Sequence, residues 1–391
     1  MAQLQRSMVT TAAELAECCN YLAGCLVIGM DTEFVGEHTY HPNLCLIQVA
    51  TPQQLILIDP LTVGSLERFW ALVVEPKRTV VVHAGREEVR LCKLLYGAVP
   101  ANLFDVQLAA GLVGMAYPLG YGNLVRELLR VNLRKRETLT EWRERPLSQE
   151  QIDYAYDDVR YLLPLWNKLT DRIDRLERTN WAREEFERLT QTPLVEEEAV
   201  IEKWRRLKGI SSLSRRQLTA VRELFLWREE VALRTNRPPR TIVRDDLLVE
   251  IVRRHPTTEK DLQSVRGLPR RDLPSIMSAL ERARHIPADD MPETVDRVQD
   301  PPKVALVGGV LQAVLGDVAV RRQVAPNLIA SSSDVRELVR FRVNGESLPR
   351  HSPFAHGWRA KDILPELDAV LHGRRGVRIA DLQAESPFAV E

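Results

Sequence analysis

Leu26-Val27-Ile28-Gly29-Met30-Asp31-Thr32-Glu33-Phe34 is an apolar run that ends in two acids, one residue apart. A short continuous apolar run of this kind reads as a strand buried on both faces, expected over residues 26–30. Side chains alternate along a strand, so Asp31 and Glu33 share one side. Working outward, further apolar strands are expected at 44–49, 55–58 and 79–82. Helices are expected at 11–23 after a Thr11 cap, at 66–74 and at 87–95, and they dominate 102–169. Three strands in succession, then strands alternating with helices, predict an α/β fold with a mixed sheet covered by helices.

The 391 residues suffice for two or three domains with real cores. A content of 45% hydrophobic and 28% charged residues is that of a globular protein. No apolar run is read as approaching the roughly 20 residues that span a bilayer. The opening Met1-Ala2-Gln3-Leu4-Gln5-Arg6 lacks the features of a secretory signal. The expectation is a cytoplasmic monomer with no membrane association. The five cysteines, Cys18, Cys19, Cys25, Cys45 and Cys92, form no CxxC pair and read as reduced core residues.

Net charge is zero, yet residues 201–287 hold 20 Lys/Arg against 11 Asp/Glu, a surplus of 9. A basic block inside a neutral chain fits a polyanion-binding module beside an acidic one; a solvated helical surface is the plainer reading. Thr190-Gln191-Thr192-Pro193 with Glu196-Glu197-Glu198 reads as a linker, and the Pro/Asp-rich stretch at 287–302 as another. The expected organisation is an α/β domain at 1–190, a helical domain at 200–286, the 287–302 linker and a helical domain at 303–391. The tail from 374 carries no readable pattern. Arg237-Pro238-Pro239-Arg240-Thr241-Ile242 is faintly echoed by Val324-Ala325-Pro326-Asn327-Leu328-Ile329, as in a duplicated helical module.

Three further residues complete a chemical pattern. Glu88 follows His83-Ala84-Gly85, and Tyr154 and Asp158 stand four apart in a helical stretch, one turn from each other on one face. Each piece alone has a plain structural reading: a solvated loop, a helix-dipole partner, a packing pair. In this order they are what hydrolysis of a phosphodiester by two divalent cations needs, because hard cations take carboxylate oxygens. Asp153 and Asp157 are rival acids on a face rotated by about 100°. His38, His41 and His83 match no zinc template.

The chain resembles the ribonuclease D family, DEDD-type 3′–5′ exonucleases of the Tyr subclass with a ribonuclease-H-like fold. The resemblance is carried by Asp31-Thr32-Glu33-Phe34-Val35, Leu44-Cys45-Leu46-Ile47-Gln48, Leu57-Ile58-Asp59-Pro60-Leu61 and His83-Ala84-Gly85. It continues through Phe104-Asp105-Val106-Gln107, Thr140-Glu141-Trp142-Arg143-Glu144-Arg145-Pro146-Leu147 and Tyr154 to Pro164. It implies two Mg²⁺ or Mn²⁺ ions, with Asp31 bridging both. Glu33 and Asp158 complete the first site, Glu88 holds the second through water, and Tyr154 positions the attacking water. Asp105 matches a family acid outside the ligand set and is read as structural. One departure stands out: the family has Asp where this chain has Glu88. The extra methylene moves the carboxylate by up to about 1.5 Å, which a water layer around the ion can absorb.

Residues 201–284 resemble an HRDC domain, on Trp204-Arg205-Arg206-Leu207-Lys208-Gly209, Trp227-Arg228-Glu229, Asn236-Arg237-Pro238-Pro239 and Arg266-Gly267-Leu268. Lys203, Arg205, Arg206, Lys208, Arg215 and Arg216 are the candidate phosphate contacts; Trp204 and Trp227 read as core. The segment at 303–391 occupies the place of a second, HRDC-like domain. The resemblance implies an exoribonuclease acting on RNA with a free 3′ end, including precursor tRNA. Two other readings stay open at this level: a single-strand DNA 3′–5′ exonuclease, and an RNA-binding adaptor impaired at Glu88.

Overall fold

A computed structural model describes the chain except residues 1–3, 134–140, 295–299 and 385; for 192–201 it describes the backbone alone. Thr140 and part of the 287–302 linker lie outside the described residues. The chain forms two compact units: Met1–Glu33 with Cys45–Pro193 and Asp300–Glu391, and Phe34–Leu44 with Leu194–Gln299.

The first unit begins β1 (Gln5–Val9), α1 (Ala12–Ala23), β2 (Val27–Val35), β3 (Asn43–Ala50), β4 (Gln54–Ile58), α2 (Glu67–Val73), β5 (Thr79–Val82), α3 (Arg86–Tyr96) and β6 (Leu103–Asp105). The strands form one sheet in the order β1-β4-β3-β2-β5-β6. β1 is parallel to β4 and β4 antiparallel to β3, while β5 is parallel to both β2 and β6. This is the expected mixed sheet. Its central strands are buried apolar runs; β3 is buried at every position after Asn43. The expected helix after Thr11 forms, with Thr11 and Glu14 capping each other's backbone N–H. The two edge strands, β1 and β6, escaped the sequence reading. β1 is half exposed and β6 has only three residues, so neither shows a buried strand's apolar run.

β6 ends on Asp105, which joins two strand ends. Its carboxylate is 2% exposed and accepts four backbone N–H groups. Gln107 (2.7 Å) and Leu108 (3.2 Å) open α4 (Val106–Leu112). Ala84 (3.2 Å) and Gly85 (2.9 Å) form the turn from β5 into α3. That turn is tight: Ala84 has φ 55°, and a Cβ on Gly85 would lie 2.2 Å from Val82 Cγ2.

The unit continues with α5 (Tyr121–Leu129), α6 (Gln149–Arg160), α7 (Leu162–Arg175) and α8 (Thr179–Ala199). α6 starts at Ser148, capped reciprocally with Gln151. The segment before it is tied to the sheet by Arg145, which donates to Asp59 Oδ1 (2.8 Å) and to the Cys45 carbonyl (2.7 Å). Helix α8 runs through the stretch expected to be a linker at 190–198. Gln191 and Glu196-Glu197-Glu198 flank Pro193 with good helix formers, and their preference prevails there.

The second unit is helical: α9 (Arg215–Thr235), α10 (Pro239–Ile242), α11 (Asp245–Arg254), α12 (Glu259–Gln263) and α13 (Leu273–His285). Its core includes Trp204, Leu224, Trp227, Leu248 and Ile276, so both tryptophans are core residues. Asn236 ends α9 in the left-handed conformation, and its side-chain oxygen accepts from the backbone N–H of Tyr40 (3.1 Å) and His41 (3.2 Å).

The chain then returns to the first unit with α14 (Pro302–Arg321), α15 (Pro326–Ile329), α16 (Ser332–Asn344), α17 (Leu364–Leu371) and a hairpin of β7 (Val377–Ile379) and β8 (Phe388–Val390). Buried polar links hold this segment in place. Arg178 donates to the carbonyls of Leu112, Arg322 and Gln323. Glu185 accepts from Arg359 and from Trp358 Nε1 (2.8 Å), and Trp181 stacks on Trp358 at 4.3 Å. The segment read as a separate domain at 303–391 thus shares one unit with the sheet. α14 also corrects the expectation of no long apolar run: by length and composition it is the one helix among the described residues able to cross a membrane. Here Val304, Leu311, Val314, Leu315 and Val318 are buried in the unit, and Asp317 within the run pairs with Arg321 at 2.8 Å.

The faint echo has a local counterpart. α9, α10, α11 and α14, α15, α16 each run long helix, four-residue helix with Pro at its start, medium helix. Asn236 and Gln323 both have φ 47°, and the next N–H bonds a carbonyl five residues back at 2.9 Å in each: Arg237 to Ala232, Val324 to Ala319.

Asp105 gives the first prediction. Asp105→Ala leaves four backbone N–H groups without their partner and is expected to cost about 2 kcal/mol, read as a lower urea midpoint. An unchanged midpoint contradicts the account of the joint.

Candidate active site

Three separate stretches deliver the five residues singled out in the sequence. β2 carries Asp31 and Glu33, the first turn of α3 carries Glu88, and α6 carries Tyr154 and Asp158. The structure links all five through Asp31 and Glu33, which interact with Glu88 and also with Asp158 and Tyr154. Burial raises Asp31, followed by Glu33 beside it. Burial and then Glu88 push Glu33 up to about 7. Glu88 is raised by burial and then by Asp31. Asp158 is raised by burial, then by Asp31 and Glu33. Among the described residues, no Lys, Arg or His figures among the groups that shift these four acids. The cluster has no compensating cation among these residues, and its carboxyls hold their protons well above the ordinary range.

Each position has a local cause. Glu88 is 5% exposed and its Oε1 accepts from the Thr32 hydroxyl at 2.9 Å, between the two acids of β2. The Asp105 joint sets where α3 begins. Tyr121 fixes the end of α6: its hydroxyl accepts from Tyr161 N (3.1 Å) and donates to the Asp157 carbonyl (3.3 Å). Tyr154 shares a hydrogen bond with the Asp158 side chain, and Trp142 lies 6.2 Å from its ring. Burial, then Asp158, raises the Tyr154 phenol above its ordinary range, so it keeps its proton at neutral pH.

The rival acids are spent elsewhere. Asp153 pairs with Arg6 at 2.7 Å and Asp157 with Arg160 at 3.3 Å. Asp158 Oδ2, by contrast, is buried with no hydrogen-bond partner. A buried carboxylate oxygen left bare, inside a cluster of acids, suits a divalent cation. The side chains are not already closed round one: among the described residues no three His, Cys, Asp or Glu form a set ready to hold an ion. Glu88 is held by the Thr32 hydroxyl and shares a side-chain hydrogen bond with Asp31. His83 bonds the Leu119 carbonyl at 2.9 Å, as a packing residue does. A cavity of about 1100 Å³ opens elsewhere in this unit, lined by Leu26, Ala50, Arg160 and Trp166 and by none of the five. Charge marks this site better than volume does.

Sequence reasoning missed the roles of Thr32, Tyr121 and Arg145 in holding the site. Asp105 carried a readable signal, an acid at a strand-to-helix junction where an N-cap belongs. In the second unit the six candidate phosphate contacts divide. Arg206 and Lys208 are exposed and Lys203 is half-buried. Arg205 bonds Glu202 and the Glu293 carbonyl. Arg215 donates to the Ala288 (3.1 Å) and Met291 (3.0 Å) carbonyls, and Arg216 to those of Arg284 (3.2 Å) and Ile286 (3.0 Å).

Known proteins resemble this chain over most of its length. Residues 7–174 match the family described as 3′-5′ exonuclease, and 217–274 match the HRDC domain. Ribonuclease D of Acidiphilium cryptum is 33% identical over 360 residues, covering 90% of each chain. Ribonuclease D of Sphingobium indicum is 35% identical over 380 residues, covering 94% of this chain and 95% of its own. The crystal structure of Escherichia coli RNase D, described as an exoribonuclease involved in structured RNA processing, superposes with a TM-score of 0.82 at 28% identity. That match covers 95% of this chain and 99% of the other. A buried acid cluster on a mixed sheet, an HRDC-matching helical unit and this full-length kinship lead to one conclusion: the chain belongs to the ribonuclease D family of 3′–5′ exoribonucleases.

Proposed function

We propose that the chain shortens RNA from its 3′ end with two divalent cations, Mg²⁺ or Mn²⁺, seated by Asp31, Glu33, Glu88 and Asp158. Precursor tRNA 3′ ends are the substrate we assign, and the cytoplasm the compartment. The observation that carries the reading is the uncompensated acid cluster with the bare Asp158 Oδ2 inside it. Bound there, the cations would neutralise charge on the attacking and leaving oxygens. Asp31 shares a face with Glu33 and lies within reach of Glu88 and Asp158, which suits a bridging role. Tyr154 stays protonated, so its hydroxyl orients a water and does not abstract a proton. Glu88, the departure from the family's Asp, is steadied by Thr32, which fixes one carboxyl oxygen and leaves the other for a cation's water shell. Arg206 and Lys208, exposed on the second unit, are the phosphate contacts with most freedom; Arg205, Arg215 and Arg216 are largely engaged with their own unit.

Digestion of matched RNA and DNA oligomers with free 3′ ends tests the assignment. The wild type shortens the RNA in Mg²⁺ or Mn²⁺. Asp158→Asn and Asp31→Asn lose several kcal/mol of transition-state stabilisation, about 10³-fold in rate. Asp157→Asn stays close to wild type, and Glu88→Asp remains active. Activity surviving Asp158→Asn but not Asp157→Asn contradicts the register of α6. RNA binding without cleavage at any metal concentration contradicts the enzyme mechanism.

Stability should follow the same charges. The four acids titrate higher folded than the ordinary carboxylate range near 4. Their contribution is fully present below that range and is lost as pH rises through the folded values, about 7 for Glu33. In EDTA, the melting temperature therefore falls between pH 5.5 and 8.5. Millimolar Mn²⁺ recovers it at the alkaline end. A metal-free melting temperature that is flat or rises over this window contradicts the cluster.

A further inference from the structure

β3 is buried throughout from Leu44 to Ala50, and Gln48 is its polar side chain in that stretch. Gln48 is 0% exposed, and neither its Oε1 nor its Nε2 has a hydrogen-bond partner. Each buried polar group left unpaired costs about 1–3 kcal/mol. Leu or Met would fill similar space without that penalty, so the amide is retained against stability.

Gly29 shows where the amide lies. A Cβ on Gly29 would be 3.3 Å from Ala50 Cβ and 3.0 Å from Leu162 Cβ. Gly29 and Ala50 are therefore lateral neighbours on the face covered by the start of α7. Asp31 is two residues beyond Gly29, and Gln48 two before Ala50, so both occupy that face. β2 and β3 are adjacent, and only residues 36–42 join them. A parallel crossover needs a dozen residues or more, so the pair is antiparallel. Two steps forward on β2 then match two steps back on β3. Gln48 comes to lie beside Asp31, with Cβ atoms about 4.5–5.5 Å apart. On its other side Gln48 is paired with Leu57, which offers nothing polar.

We infer that Gln48 is a positioning residue for Asp31: unpaired without metal, its amide N–H takes one carboxylate oxygen once a cation draws the other. The inference rests on the cation site proposed above. Carboxylates that ligate metals are themselves held by hydrogen bonds, and losing such a partner typically weakens metal binding roughly 10- to 100-fold. A Gln fits this task without adding another charge to a cluster already short of compensation.

The test uses the full-length chain without RNA. Mn²⁺ binding is followed by the electron paramagnetic resonance signal of free Mn²⁺, and thermal unfolding is measured in EDTA. Gln48→Met and Gln48→Leu are expected to raise the Mn²⁺ dissociation constant roughly 10- to 100-fold. Their metal-free melting temperatures should match or exceed the wild type, because the unpaired amide is gone. Wild-type affinity in both variants overturns the role of Gln48 while leaving the cation site standing. A drop in metal-free melting temperature in both variants, with Mn²⁺ affinity unchanged, makes the residue structural and also overturns it. A wild type that takes up no Mn²⁺ overturns the cation site, and this inference with it.

Discussion

Concentrated negative charge is the constraint on which the rest of this structure depends. Asp31, Glu33, Glu88 and Asp158 crowd into a partly buried place where each disfavours ionisation of its neighbours. A folded chain tolerates that only if the backbone around the cluster leaves little freedom to relax. The supports are specific. Asp105 gathers four N–H groups and sets the start of α3. Arg145 ties the approach to α6 onto the sheet through Asp59 and Cys45. Tyr121 closes the end of α6. The cost of the cluster is met by this frame, and the proposed divalent cations would compensate it.

The C-terminal segment adds to that frame. Arg178 and Glu185, on the chain between α7 and the second unit, each reach residues more than 140 positions away. Their contacts are buried, so breaking one partner would leave a charge or a carbonyl uncompensated. The second unit has a different character. Its core closes around Trp204 and Trp227, and much of its surplus positive charge is used to tie loops and helix ends together. Arg206 and Lys208 remain exposed. A count of basic residues therefore overstates how many side chains are free to reach a polyanion.

Much of this was legible in the residues. The central strands were readable because burial on both faces leaves a continuous apolar run. The acids were readable because two periodicities, two for a strand and nearly four for a helix, place them on shared faces. The edge strands were not, since β1 pairs on one side only and keeps exposed polar residues. The linker expected at 190–198 is helix because Pro193 punctuates more strongly in composition than in the backbone. The merging of 303–391 with the sheet unit rests on single long-range contacts such as Glu185 with Arg359, and these have no local signature. Gln48 and Thr32 belong to the same class: their meaning comes from what lies beside them on another strand or helix.

The central claim is that four acids from three distant stretches seat a pair of ions. A crystal structure grown with Mn²⁺ and read by anomalous scattering tests it most directly. The account predicts two peaks about 3.5–4 Å apart, bounded by Asp31, Glu33, Glu88 and Asp158. Manganese bound elsewhere, with no peak among these four side chains, would contradict it.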